Sequence, residues 1–150
     1  MMNKFAFFLI CLLAAGIVFG GTTKVRDESG RVIGTATTNG NRTTYRDKSG
    51  KITGTSTANG NRTIYYNSAG KKLGESTANG NRATYRNASG KKLGESSTNG
   101  SRTTYRNASG KNIGSATTNG NRTTYRDQSG KKTGSSDGNT PLPFLFKDAK

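Results

Sequence analysis

Apolar side chains along residues 22–134 stand mostly singly and never at helical spacing, in short runs rich in Thr, Tyr and Ile that no Pro interrupts. Such runs suit pleated strands. Asn-Gly at 39–40, 59–60, 79–80, 99–100 and 119–120, and Ser-Gly or Ala-Gly ten residues further on, supply the reversals. Each stretch of 20 residues is therefore expected to be two short strands and two turns.

The pattern is an internal repeat with a period of 20 and no insertion or deletion. After each Asn-Gly come Arg42, Arg62, Arg82, Arg102 and Arg122, then Tyr45, Tyr65, Tyr85, Tyr105 and Tyr125. Gly50 and Gly54 and their equivalents follow. A leading unit, 21–40, has Val25 in place of Tyr, and the last unit loses the pattern after Gly134. The expected fold is all-β: an antiparallel meander of six 20-residue β-hairpin repeats in a single-layer twisted or coiled sheet, β-solenoid-like.

Register decides which side chains share a face, because a slip of one residue turns every one of them over. Two seven-residue strands and two three-residue loops account for one unit, if each loop is a type I turn closed by a left-handed Gly, as in Ser68-Ala69-Gly70 and Ala78-Asn79-Gly80. Tyr65 then lies opposite Leu73 and Leu73 opposite Tyr85, in one row running from Val25 and Ile33 to Tyr125 and Thr133. The alternative, a two-residue type I′ turn at Asn-Gly, would point successive tyrosines to opposite faces. The loop choice that keeps the apolar row together is preferred.

That register sends Arg46, Arg86, Arg106 and Arg126, with Lys72, Lys92 and Lys132, to the reverse face, beside the row of Arg42, Arg62, Arg82, Arg102 and Arg122. Like charges opposite one another weaken a sheet, and a polyanion would relieve them. The same charges also serve as solvated groups that keep a Thr-rich sheet soluble and discourage pairing between molecules. The few half-buried row residues are little to set against the entropy of ordering so long a chain, so a flat free sheet would be marginal. The sheet is expected either to coil with the Tyr/Leu row on its concave side, or to press that row against a second molecule.

Composition narrows function. The chain is 29% hydrophobic, has no Trp or His, a single Cys at position 11, and 24 Lys and Arg against 8 Asp and Glu, for a net charge of +16. The absence of His and the scatter of the carboxylates remove most nucleophilic, metal and general acid/base constellations, so no enzyme, cofactor, metal site or small-molecule substrate is expected. Asp27, Asp47 and Asp127 open turns, where a carboxylate accepts from the backbone two residues on. Residues 1–21 have the charged start, apolar run and small-residue end of a signal peptide, with an uncleaved anchor as the alternative. The repeat domain is placed at 22–134. Residues 135–150 form a tail whose apolar stretch, 141–146, is expected to cap the last repeat or to act as an attachment peptide. The mature chain is placed outside the cell, in the periplasm or on the cell surface, with no disulfide to staple it.

The segments Gly40 to Ile52 and Gly120 to Lys132, with Tyr45, Asp47, Gly50, Tyr125, Asp127 and Gly130, resemble the YD repeat of rearrangement-hotspot proteins. Arg46 and Arg126 separate Tyr from Asp here, and Asn67, Asn87 and Asn107 replace the acid. The chain is similar, more loosely, to choline-binding and MORN-type hairpin repeats. The YD resemblance implies spiralling antiparallel sheet, carbohydrate binding and cell-surface display. Two functions follow as expectations. One is an exported module binding acidic polysaccharide or another envelope polyanion through its nine arginines, with the five tyrosines as a stacking or core row. The other is a structural or adhesive surface protein, self-associating through its Tyr/Leu face, or an accessory partner of a larger YD-repeat toxin.

Overall fold

The computed structural model describes residues 20–137. The signal-peptide assignment, apart from Gly20 and Gly21, and the tail beyond Asp137 lie outside the described residues. All regular structure among the described residues is β. The strands are β1 (Gly21–Asp27), β2 (Val32–Asn39), β3 (Arg42–Asp47), β4 (Ile52–Asn59), β5 (Arg62–Asn67), β6 (Lys72–Asn79), β7 (Arg82–Asn87), β8 (Lys92–Asn99), β9 (Arg102–Asn107), β10 (Asn112–Asn119), β11 (Arg122–Asp127) and β12 (Lys132–Asp137). They form an antiparallel meander of six hairpin units, as the period requires. The sheet therefore starts one residue before the expected span and runs three past it, taking Ser135, Ser136 and Asp137 from the segment assigned to the tail.

The sheet is not an open coil. Val25, Arg26 and Asp27 of β1 pair with Ser136, Ser135 and Gly134 of β12, closing a twelve-stranded barrel. Closure hides one face of the sheet and pairs the two outermost strands, which an open sheet would leave as edges.

The two reversals in each unit differ. At Asp47 the loop is the expected one: Gly50 N–H donates to the Asp47 carbonyl, and Asp47 N–H donates to the Lys51 carbonyl, with Gly50 at φ +84°. This is a type I turn closed by a left-handed Gly. At Asn39 the expectation fails. Asn39 pairs directly with Arg42, leaving Gly40 and Asn41 as a two-residue loop. Gly40 alone has positive φ, +56°, which is the type II′ arrangement.

A two-residue loop by itself would flip every second tyrosine. A β-bulge prevents this: the register steps from Arg46↔Ile52 to Tyr45↔Gly54 and passes over Thr53. The bulge recurs in the other units, and its extra residue restores the parity that the short turn removes. Tyr65 accordingly lies opposite Gly74 on one side and Ser56 on the other, instead of opposite Leu73. Ile33, Leu73, Leu93 and Ile113 occupy the bulge and pack half-buried against the core.

This pairing fills the interior. Eight-stranded barrels are just filled by ordinary side chains, so twelve strands enclose a wider space that longer groups must reach across. Tyr45, Tyr65, Tyr85, Tyr105 and Tyr125 point inward and are 0 to 4% exposed. Small residues make room: Tyr45 faces Ala36 and Gly54, and Tyr85 faces Ser76 and Gly94. At Gly54 a Cβ would come within 2.5 Å of the Tyr66 carbonyl oxygen, so neighbouring backbones approach too closely for any other residue. From Tyr45 the ladder leads through Gly54 to Asn67, two residues past Tyr65. Repeated at each hairpin, this slip tilts the strands by roughly 35–45° and stacks equivalent positions into rings around the barrel axis.

Candidate functional site: a basic outer wall

Strand alternation fixes the outside of the barrel. With Thr43 and Tyr45 buried inside, Arg42, Thr44 and Arg46 must point outward. The same parity places Arg62, Arg82, Arg86, Arg102, Arg106, Arg122 and Arg126 on the outer wall, together with Lys72, Lys92 and Lys132. Among the described residues no charged side chain is buried. This is the reverse of a membrane-spanning barrel, whose outer wall needs an apolar band.

The two arginine rows differ in what holds them. Arg46, Arg86, Arg106 and Arg126 each donate from Nη1 to the carbonyl of the turn glycine four residues on, at 2.9, 2.9, 3.0 and 2.9 Å. They brace the turn at one rim. In the other row, Arg62 forms an ion pair with Glu75, and Arg122 donates to the Ser135 hydroxyl at 3.3 Å. Arg82 lies near enough to Glu95 to help lower that carboxyl. The side chains of Arg42 and Arg102 have no hydrogen bond or ion pair among the described residues.

Two like-charge pairs sit directly opposite on this wall, Arg86↔Lys92 and Arg126↔Lys132. Glu75 and Glu95 offset part of the excess. Glu75 accepts from Lys72 at 2.8 Å and from Arg62, which together hold its carboxyl below the usual range. Lys92, 2.9 Å away, does the same for Glu95. The aspartates have the local role expected of them. The Asp47 carboxylate accepts from the Ser49 backbone and hydroxyl and from Lys51 N–H, at 2.9, 2.7 and 3.0 Å. The Ser49 hydroxyl chiefly keeps Asp47 well ionised. Asn67 accepts from Ala69 and Lys71 in the same way, so an amide replaces the acid without loss of the turn.

The five tyrosines expected as a stacking or core row are core. Their rings face neither solvent nor a second molecule, because the wall closes around them. The hydroxyls of Tyr45, Tyr65, Tyr85 and Tyr125 bond to Ser56, Ser76, Ser96 and Ser136 at 2.7, 3.1, 3.0 and 2.7 Å. Leu73 and Leu93 of the same row are half-buried against that core.

One outward residue escaped the sequence reading. Tyr66 stands on β5 where other units have Arg46 or Arg86, and it is half-buried on the outer wall. Its signal was an exception within a repeat column, easily overlooked beside the buried Tyr65. Among the described residues no group of three or more His, Cys, Asp or Glu side chains is arranged to hold a metal ion. No helix among them is long and apolar enough to cross a membrane. No protein-family model and no curated protein matches the chain.

Proposed function

We propose that this chain is an exported, non-enzymatic binding protein whose outer wall holds acidic glycans or other polyanions of the cell envelope. The observation that supports it most directly is the one-sided charge: the strands' arginines and lysines point outward, and no charged side chain among the described residues is buried. Equivalent arginines recur every second strand, ~9–10 Å apart along the wall. That ring of cations suits a polymer of repeated negative groups better than a single small anion. Arg42 and Arg102, whose side chains are unengaged among the described residues, are its most available contacts. Self-assembly as a structural or adhesive protein would call on free strand edges, and the pairing of β1 with β12 leaves the described sheet fewer of these than an open sheet has.

Retention of the full chain on heparin, measured at two salt concentrations, tests this. Replacing Arg42, Arg82 and Arg102 together by Ser is expected to weaken binding at least tenfold at low salt. It should also lower the slope of log K against log salt by roughly one for each arginine. Unchanged retention with an intact circular dichroism spectrum would overturn the proposal.

A further inference from the structure

The outer wall departs from its own pattern at Val32 and Ile52, exposed where other units carry Lys72, Lys92 and Lys132, and over a longer strip on β5. On β5, Arg62, Ile64 and Tyr66 succeed one another on the outward face, where β3 has Arg42, Thr44 and Arg46. The strip is roughly 13 Å long at the ordinary rise of a strand. Ile64 and Tyr66 are half-buried, so each still presents part of its surface to solvent. Tyr66 also gives up the arginine that braces the turn glycine in neighbouring units, and Asn67 holds that turn without it. The substitution therefore removes a brace that recurs elsewhere and gives the wall an aromatic ring.

The surroundings of that ring are specific. Thr55 lies directly opposite Tyr66 on β4 and Thr57 directly opposite Ile64. Lys72 lies opposite Tyr66 on β6, and Glu75 opposite Ile64. Glu75 binds both Arg62 and Lys72, which fixes the two cations at either end of the apolar pair. An aromatic face beside an aliphatic side chain accepts the C–H face of a sugar ring, flanking threonine hydroxyls match sugar hydroxyls, and the cations match carboxylate or sulfate groups.

We infer that Tyr66, with Ile64, Arg62 and Lys72, is the subsite on the basic wall where one pyranose ring of an acidic polysaccharide stacks. The inference rests on the reading of the wall as a polyanion surface and names its ligand class. A polyanion without rings has nothing to place on Tyr66. A nucleic acid has flat bases, for which the flanking threonines offer fewer matched partners than a polyol provides.

The discriminating variant is Tyr66→Arg, which installs the residue found in other units and adds a positive charge. Titrations of the full chain with heparin, inorganic polyphosphate and oligo(dT) at one ionic strength read the result. Expected are an about tenfold loss of heparin affinity in Tyr66→Arg, near wild-type affinity in Tyr66→Phe, and unchanged or tighter polyphosphate binding. Equal or tighter heparin binding by Tyr66→Arg would overturn the subsite while leaving the polyanion wall intact. Loss for oligo(dT) but not for heparin would overturn the sugar assignment in favour of a base. Absence of wild-type binding to all three probes would overturn the wall and the subsite together.

Discussion

The joint where β1 meets β12 is built differently from the joints inside the meander. Internal neighbours are tied by a turn and share five or six paired positions, as in β5 with β6 or β6 with β7. The closing joint has three pairs and no turn. Inside, tyrosine hydroxyls bond serines across the ladder; beside the seam, Val25 takes the tyrosine position and Ala36 the serine position, so both hydroxyls are missing together. Charge makes up part of the difference. Arg26 pairs with Asp137 at 3.2 Å, Lys131 with Glu28 at 3.5 Å, and Lys132 donates to the Glu28 carbonyl at 3.4 Å. Repetition thus supplies the wall, and the units that break the repeat supply the closure.

The largest contrast is expected from core truncation. Tyr65→Ala should cost about 3–5 kcal/mol by opening a cavity in the filled interior. Val25→Ala, which removes two methyl groups, should cost about 2 kcal/mol. Urea denaturation reads both, and equal losses would mean that the seam is as strongly packed as the body. A smaller effect of opposite sign is expected at Thr133, whose buried hydroxyl has no hydrogen-bond partner among the described residues and which stands where other units carry Leu73 or Leu93. Thr133→Leu should raise stability by about 1 kcal/mol and slow amide exchange in β12 most. No gain would show that the seam is not limited by that hydroxyl.

The subtlest contrast is acid sensitivity. The Ser29 hydroxyl, helped by Arg31, lowers Asp27 from 3.8 to about 2. A folded pKa below the unfolded one lends stability that is full above about pH 4 and disappears as pH falls towards 2. Ser129 lowers Asp127 in the same direction. The turns at Asn67, Asn87 and Asn107 use amides, which do not titrate in this range. Between pH 5 and 2, NMR signals of residues 27–31 should therefore weaken before those of 67–71, and Asp27→Asn should flatten the difference. Simultaneous loss would remove the assigned cause.

Much of this architecture was legible in the chain. Spacing alone placed the hairpins, and the positions of Tyr45 and Arg46 put phenols and guanidinium groups on opposite faces. The turn at Gly40 and the bulge at Thr53 were not legible, because their one-residue changes cancel: two three-residue loops, or one short loop plus a bulge, consume the same 20 positions. Closure was illegible for another reason. It depends on a slip and twist accumulated over twelve strands, which no single unit encodes. Tyr66 was visible as a misplaced letter in a column, but its importance emerged only once the other tyrosines proved to be inside.

The closed ring also constrains how the gene can change. An open array of near-identical 20-residue units tolerates unequal recombination, since each added or lost copy only alters its length. A circle does not: one hairpin more or fewer resets the circumference, and with it the void that phenol-length side chains must span. Copy number in this chain is therefore set by the reach of a tyrosine.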